Sequence, residues 1–351
     1  MFGIGRFIKK IFAKRYPRNT LLLGEFEKIM REYHQAHLCN QIALANNAEG
    51  PVVLYTPWNT TSDGTWNTGS KTLLLERHAS GCLSFIPDDG KNATKPVYIM
   101  TVPKSGTHLI QQVFLNMGFT QGSISFKGND IFIDYRNVNN KKDYLFKSEQ
   151  STLPYPLIVN LTSPGNVYAG HVANPDHVRL VHRNDKILMS VRDLRVSLVS
   201  YVRMIVYAKS LFKELGEKEK GFPVNSELTS ELFSTHWNTP YFDEVFSSAK
   251  NCVELMNEPF VRVLRFEELT STDPEILKKP AEAIAEIAEC SVTKALALLQ
   301  EANGQKTNTY TGHFSELGNF WNQDVENKFI EFGGDIINEQ LGYSRHYNPQ
   351  C

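Results

Sequence analysis

The stretch Pro96-Val97-Tyr98-Ile99-Met100-Thr101-Val102-Pro103-Lys104-Ser105-Gly106-Thr107-His108-Leu109 decides how this chain is read. Its first seven residues are a continuous apolar run of the kind that forms a strand buried on both faces of a parallel sheet. From Leu109 to Met117 the apolar spacing becomes helical. The hand-over between them, Lys104 to Thr107, carries one glycine, two hydroxyls and one fixed positive charge. Open α/β sheets bind ligands beyond the carboxyl ends of their strands. A loop at that place, with backbone N–H groups opening a helix, makes a cradle for a phosphate or sulfate group. A plain tight strand-to-helix turn would read the same way. The loop is not GxxxxGK[ST], because Lys104 precedes Gly106 and the first glycine of that pattern is missing.

The strand-then-helix pattern repeats further along. Lys186-Ile187-Leu188-Met189-Ser190-Val191 is a second buried strand, followed by a helix from about Leu194 to Leu215. Phe260 to Arg265 is a third, followed after Asp273-Pro274 by helical spacing at Ala281–Ala288 and Thr293–Glu301. Alternation of this kind predicts an α/β fold, a three-layer arrangement of a parallel sheet flanked by helices. On the N-terminal side, Leu21 to Leu38 has helical spacing, whereas Pro51 to Gly90 reads as turns and short strands. Asp88 to Asn92 is a turn or linker, so residues 1–90 are expected to be an extension and 91–351 the main domain. Thr120 to Leu161 is rich in Asn, Lys, Gly and Tyr without clear periodicity, either a lid over the site or a surface excursion.

Composition narrows the function classes. The chain has 351 residues, 41% hydrophobic and 21% charged, which is ordinary for a soluble globular protein. Its net charge of −1 provides no global field to recruit nucleic acid, so an anion site must be built locally. Five scattered cysteines, Cys39, Cys82, Cys252, Cys290 and Cys351, form neither a disulfide framework nor a zinc-ligand spacing, and the expected compartment is the reducing cytoplasm with no bound metal. Three matches to the glycosylation sequon, at Asn59, Asn92 and Asn160, read as chance in that setting. Met1 to Arg18 holds six basic residues and no acid, with Ile4, Phe7, Ile8, Ile11 and Phe12 at roughly helical spacing. That segment suits either a helix packed on the protein or an amphipathic helix on an anionic membrane, an expectation of peripheral membrane association.

A second charged junction supports the first. Arg192 closes a buried strand, where an uncompensated charge is costly and needs a partner. Ser200 follows eight residues later, about two helical turns on, with Arg195 and Arg203 nearby. An arginine and a hydroxyl at a strand end suit a second phosphate, and a structural pairing of Arg192 or Arg195 with Asp193 is the competing reading.

Taken in order, these landmarks resemble the sulfotransferases that use 3′-phosphoadenosine 5′-phosphosulfate (PAPS). Pro103 to Thr107 resembles the family's PKSGT loop for the 5′-phosphosulfate, and Val191 to Tyr201 resembles its 3′-phosphate motif. Leu264-Arg265-Phe266-Glu267-Glu268-Leu269 resembles its YEDL element, and Gly312, Trp321 and Leu341-Gly342-Tyr343 echo its C-terminal pattern. The resemblance implies a P-loop NTPase-like sulfotransferase fold. It further implies that Lys104 contacts the bridging oxygen and that Ser105, Gly106, Thr107 and His108 bind the phosphosulfate. Arg192, Ser200 and Gly312 would bind the 3′-phosphate, and Phe266 would lie near adenine. The family's general base is a histidine before the strand of the 3′-phosphate motif, which maps to His171, with His177 and His182 as rivals. Two departures stand out. His108 and Leu109 replace the family's usual residues, and its C-terminal Arg-Lys-Gly clamp is here Tyr310-Thr311-Gly312, with Lys306 as the nearby substitute.

The expected activity is sulfuryl transfer from PAPS to a hydroxyl or amine of a small-molecule, glycan or lipid acceptor, leaving adenosine 3′,5′-bisphosphate (PAP). The alternatives are a nucleotide-binding protein of this type without catalysis and, further off, a nucleotide-dependent kinase. Neither the acceptor nor the oligomeric state is legible.

Overall fold

A computed structural model describes residues 95–127, 131–134, 151–172, 174–202, 240–303 and 321–347, together with short pieces between 20 and 85. Met1 to Arg18, Arg203, Lys306 and Tyr310 to Gly312 lie outside the described residues. The chain divides into two compact units: Met1–Pro96, Phe119–Tyr168 and His177–Val181 form one, and Val97–Gly118, Ala169–Asp176 and His182–Cys351 the other.

In the first unit, β1 (Thr20–Leu22), β2 (Gly50–Tyr55), β5 (Thr72–Arg77) and β6 (Cys82–Phe85) form a sheet in the order β1-β6-β5-β2. Its pairs are antiparallel, and β3 (Asn59–Thr60) pairs with β4 (Trp66–Asn67) beside them in sequence. The expected strands between Pro51 and Gly90 are therefore present. The expected helix from Leu21 is not helical at its start, because Thr20 to Leu22 pairs with Cys82 to Ser84. A neighbouring strand overrides local helical spacing there. Thr120 to Leu161 also departs from the expectation of an aperiodic loop: β8 (Thr120–Lys127), β9 (Ile131–Asp134) and β10 (Ser151–Pro154) form an antiparallel series, followed by a 3-10 turn at Tyr155–Asn160. Ile124 and Phe126 are buried on one face of β8, with Ser125 between them. That period of two spans too few residues to stand out among the surrounding Asn and Lys.

The second unit carries the strands read from the sequence. β7 (Val97–Thr101) and β12 (Ile187–Val191) are buried at every residue, and β13 (Val261–Arg265) is half-buried. β12 lies between β7 and β13, and both pairs are parallel. β7 leads into α1 (Thr107–Asn116), whose buried face is Leu109, Ile110, Val113 and Phe114. β12 leads into a helical run at 194–202, and α3 (Pro240–Leu255) follows later, α2 being Pro175–His182.

After β13 come α4 (Phe266–Leu269), α5 (Pro274–Ala288) and α6 (Val292–Asn303). α5 begins with Pro274 as its first residue and Asp273 accepting from the Glu275 N–H, the expected start signals. α7 (Gln323–Glu331) and α8 (Gly334–Gln340) close the unit. The parallel sheet with flanking helices is the α/β class expected. Among the described residues, no helix is long and apolar enough to cross a membrane.

A buried polar knot fixes the C-terminal segment to β12. Arg195, 2% exposed, makes a two-point ion pair with Glu326 at 2.7 and 2.9 Å. Its guanidinium also donates to the carbonyls of Ser344 and Arg345 and lies over the Phe329 ring. Trp321 Nε1 donates to the same carboxylate at 2.7 Å. Arg195 thus pairs with Glu326 and not with Asp193, whose carboxylate instead accepts from the Arg195 backbone N–H. Its role is structural.

Candidate functional site

The turn after β7 is built from strain and internal hydrogen bonds. Lys104 has φ +70° and Gly106 has φ +97°. A side-chain-bearing residue in the left-handed region is uncommon and persists where its surroundings hold it there. Ser105 supplies that hold: it is fully buried, and its hydroxyl shares its one proton between the Val102 carbonyl and, at 2.9 Å, the Ser190 carbonyl. The Ser190 hydroxyl returns a bond to the Ser105 carbonyl. Two serines on adjacent parallel strand ends therefore lock the loop to β12. The Ser105 side chain, expected to face a ligand, is committed to the turn, leaving its backbone for the anion.

Gly106 is the N-cap of α1, and no side chain caps that helix. Its first-turn N–H groups lack intrahelical acceptors, and the helix dipole adds positive potential at this end. Thr107 Oγ1 lies 2.7 Å from Thr101 Oγ1, and Thr101 donates its single proton to the Gly170 carbonyl at 3.0 Å. Thr107 is then the donor to Thr101, and this relay ties α1 to the strand end that carries His171. His108, on the first turn, keeps its ring accessible to solvent. The surrounding protein, and after it the Lys104 ammonium, push its pKa down, so at neutral pH it adds no charge.

Two cations converge on this turn. Arg192 Nη1 donates to the Lys104 carbonyl at 3.1 Å, and its guanidinium lies 3.9 Å from the Phe266 ring centroid. Arg192 Nε is enclosed and has no hydrogen-bond partner. Neither Lys104 nor Arg192 makes an ion pair with a described residue, so the Arg192–Asp193 ion pair of the competing reading is absent. Burial, and secondarily the Arg192 charge, lower the Lys104 pKa to about 8. Burial likewise pushes Arg192 down, against the opposing pull of Glu267, Tyr343 and Asp193. Two enclosed positive charges, neither in a direct ion pair with a described residue, beside an open helix N-terminus fit an anionic ligand.

Phe266 lies under Arg192, and Tyr343 is close enough to act on its charge. A Cβ on Gly106 would stand 2.9 Å from Phe266 Cδ2, so the glycine is required by close approach as well as by φ. Tyr343 donates its hydroxyl to Glu267 at 2.7 Å, and the Arg265 guanidinium lies 5.0 Å from its ring. Burial first, then Glu267, push the Tyr343 pKa up, keeping it a donor. Phe266, expected near adenine, is seen here as the platform under Arg192.

His171 ends β11 (Asn166–His171), in the second unit with Lys104 and Arg192. Its Nε2 lies 3.8 Å from Glu244 Oε1. Of its rivals, His182 is fully buried against Tyr98 and Asp185. Tyr98 stands three residues before the end of β7, roughly 10 Å along the strand from the Thr101 end. His177 lies on α2, at the half-buried level. Ser200 is 7% exposed on the helical run after Arg192, and its hydroxyl makes no hydrogen bond to a described residue. Gly312 is outside the described residues. The structure thus brings together Lys104, Ser105, Gly106, Thr107 and Arg192. Sequence reasoning missed Thr101, Ser190, Tyr201 and Glu244. The first two carried a signal, since a hydroxyl inside an otherwise apolar buried strand must find a partner. Among the described residues, no cluster of His, Cys, Asp or Glu could hold a metal.

The chain belongs to the sulfotransferase domain family, whose model matches residues 94–315. No curated protein sequence matches it. Similar solved structures include the mouse sulfotransferase SULT7A1 complexed with PAP, at 14% identity and TM-score 0.43, covering 78% of this chain and 99% of that one. Retinol dehydratase in complex with androsterone and the inactive cofactor PAP is 15% identical, with TM-score 0.40, covering 73% and 83%. The sulfotransferase domain from the curacin biosynthetic pathway is 15% identical, with TM-score 0.36, covering 72% and 99%.

Proposed function

We propose that this chain transfers the sulfuryl group of PAPS to a hydroxyl or amine of a small acceptor, with Lys104 as electrostatic centre and His171 as general base. The observation that carries the reading is the pair of enclosed cations at the uncapped N-terminus of α1, Lys104 and Arg192, neither in a direct ion pair with a described residue. PAPS supplies a sulfuryl group on a good phosphate leaving group, and the enzyme's task is to hold charge and move one proton. Lys104, with the N–H groups of Gly106, Thr107 and His108, would hold the phosphosulfate end. With its pKa near 8, roughly nine-tenths of Lys104 is protonated at pH 7. Its charge is therefore present before reaction and strengthens as negative charge gathers on the departing oxygen, a preorganised contribution. Arg192, with Nε still to be satisfied, would hold the 3′-phosphate in charge-assisted hydrogen bonds. His171 would take the acceptor proton during attack.

The test is transfer of labelled sulfate from PAPS to a panel of phenols, alcohols, amines and oligosaccharides. Labelled product that disappears in Lys104→Ala and His171→Ala supports the reading. PAP binding without any transfer across the panel would instead favour a binding protein of this fold.

A further inference from the structure

We propose that Glu244 is the positioning residue for His171, a carboxylate that meets the imidazolium formed when the acceptor proton arrives; this rests on His171 being the base. Glu244 stands in the first turns of α3, with Oε1 3.8 Å from His171 Nε2. That separation is too long for a hydrogen bond and short enough for strong charge pairing. The other oxygen, Oε2, accepts from the Tyr201 hydroxyl at 2.8 Å. Tyr201 is 7% exposed and comes from the helical run that follows Arg192, so the carboxylate is tethered to an ordered element.

The geometry differs from a carboxylate that fixes a tautomer from the far side of the ring. His171 Nδ1 is enclosed by protein, while the side chains of His171 and Glu244 are 23% and 27% exposed. Nε2 is the nitrogen an acceptor can reach, and Glu244 faces that same nitrogen. In the step itself, the acceptor oxygen forms its bond to sulfur with its own electron pair. The sulfur–oxygen bond to the nucleotide phosphate breaks with its pair going to the phosphate, and the acceptor proton passes to Nε2. The new N–H⁺ then lies against Glu244, which lowers the energy of that charge where Lys104 and Arg192 on neighbouring loops would raise it.

Glu244 from α3 faces the ring and Tyr201 acts through that carboxylate, while the Thr101 and Thr107 hydroxyls hold the adjacent Gly170 carbonyl. Lys104 and Arg192 belong to the same unit and stay unchanged in the comparison below. Full-length chain labelled at its ten histidines is titrated by NMR, the His171 signal being assigned by its loss in His171→Asn. Glu244→Gln should lower the His171 midpoint by about one pH unit, and Tyr201→Phe should lower it less. Glu244→Asp, which keeps the charge, should fall between wild type and Glu244→Gln. Coincident titrations of wild type and Glu244→Gln would overturn the proposal. With an acceptor in hand, Glu244→Gln should cut kcat about tenfold, leave the KM for PAPS unchanged, and have no further effect in His171→Ala. An equal loss in both backgrounds would also overturn it. Full turnover by His171→Ala with the NMR shift intact would remove His171 as base while leaving the charge pair standing.

Discussion

Replacing Gly106 by alanine tests the construction of the anion loop, and Gly118→Ala supplies its internal control. Both glycines flank α1 at nearly equal backbone angles, φ +97° and +98°. A Cβ at Gly118 meets nothing within 4 Å, so that substitution carries only the conformational cost, about 1–2 kcal/mol. At Gly106 the new methyl would stand 2.9 Å from Phe266 Cδ2 and 3.4 Å from Cε2. Overpacking of that kind adds about 1–3 kcal/mol. Gly106→Ala should therefore be less stable than Gly118→Ala by that increment, read from urea denaturation of the two variants side by side. The functional difference should be larger. Phe266 is the ring under Arg192, so pushing it away displaces a cation of the site. Calorimetric titration with PAP should show Gly106→Ala binding at least tenfold more weakly and Gly118→Ala within about twofold of wild type, the tenfold loss corresponding to about 1.4 kcal/mol. Equal stability and equal PAP affinity in the two variants would refute the claim that Gly106, Phe266 and Arg192 form one packed unit.

Three further outcomes are expected. Because Lys104 is depressed to about 8 in the free chain and a bound anion would restore its proton, PAP affinity should fall above pH 8, by up to tenfold per pH unit, and Lys104→Met should abolish that slope. The sign for folding is the reverse: between pH 8 and 10 the unfolded chain holds the Lys104 proton more tightly, so this group makes the free chain more stable as pH rises, a slope that denaturation of Lys104→Met should lack. Glu326→Ala strands Arg195 in the interior, and denaturant unfolding should report a loss of about 3–5 kcal/mol.

The parallel strands were legible because burial on both faces leaves an unmistakable mark: Val97 to Thr101 and Ile187 to Val191 admit few polar residues. The anion loop was legible for the same reason that it works, since Lys104, Gly106 and the start of α1 are contiguous in sequence. What escaped was set by contacts distant in the chain. Glu244 meets His171 across 73 residues, and nothing in the texture of α3 marks that carboxylate apart from its neighbours. Ser105 looked like a ligand hydroxyl because its partner Ser190 lies 85 residues away. Arg195 read as a neighbour of Asp193, yet its partner Glu326 is 131 residues distant. The strands of Thr120 to Lys127 and Ile131 to Asp134 were hidden by their shortness among Asn, Lys and Gly. Glu244, Ser105 and Arg195 are side chains whose roles depend on long-range pairing, which local periodicity does not encode.

Lys104, the N-terminus of α1 and Arg192 are proposed to hold a 3′-phosphorylated adenine nucleotide. Calorimetric titration of the chain with PAP, set beside ATP and adenosine 5′-monophosphate under the same conditions, tests it most directly. PAP should bind much more tightly than either, with Arg192→Ala erasing its advantage over adenosine 5′-monophosphate. ATP binding as tightly as PAP, or an undiminished preference for PAP in Arg192→Ala, would contradict it.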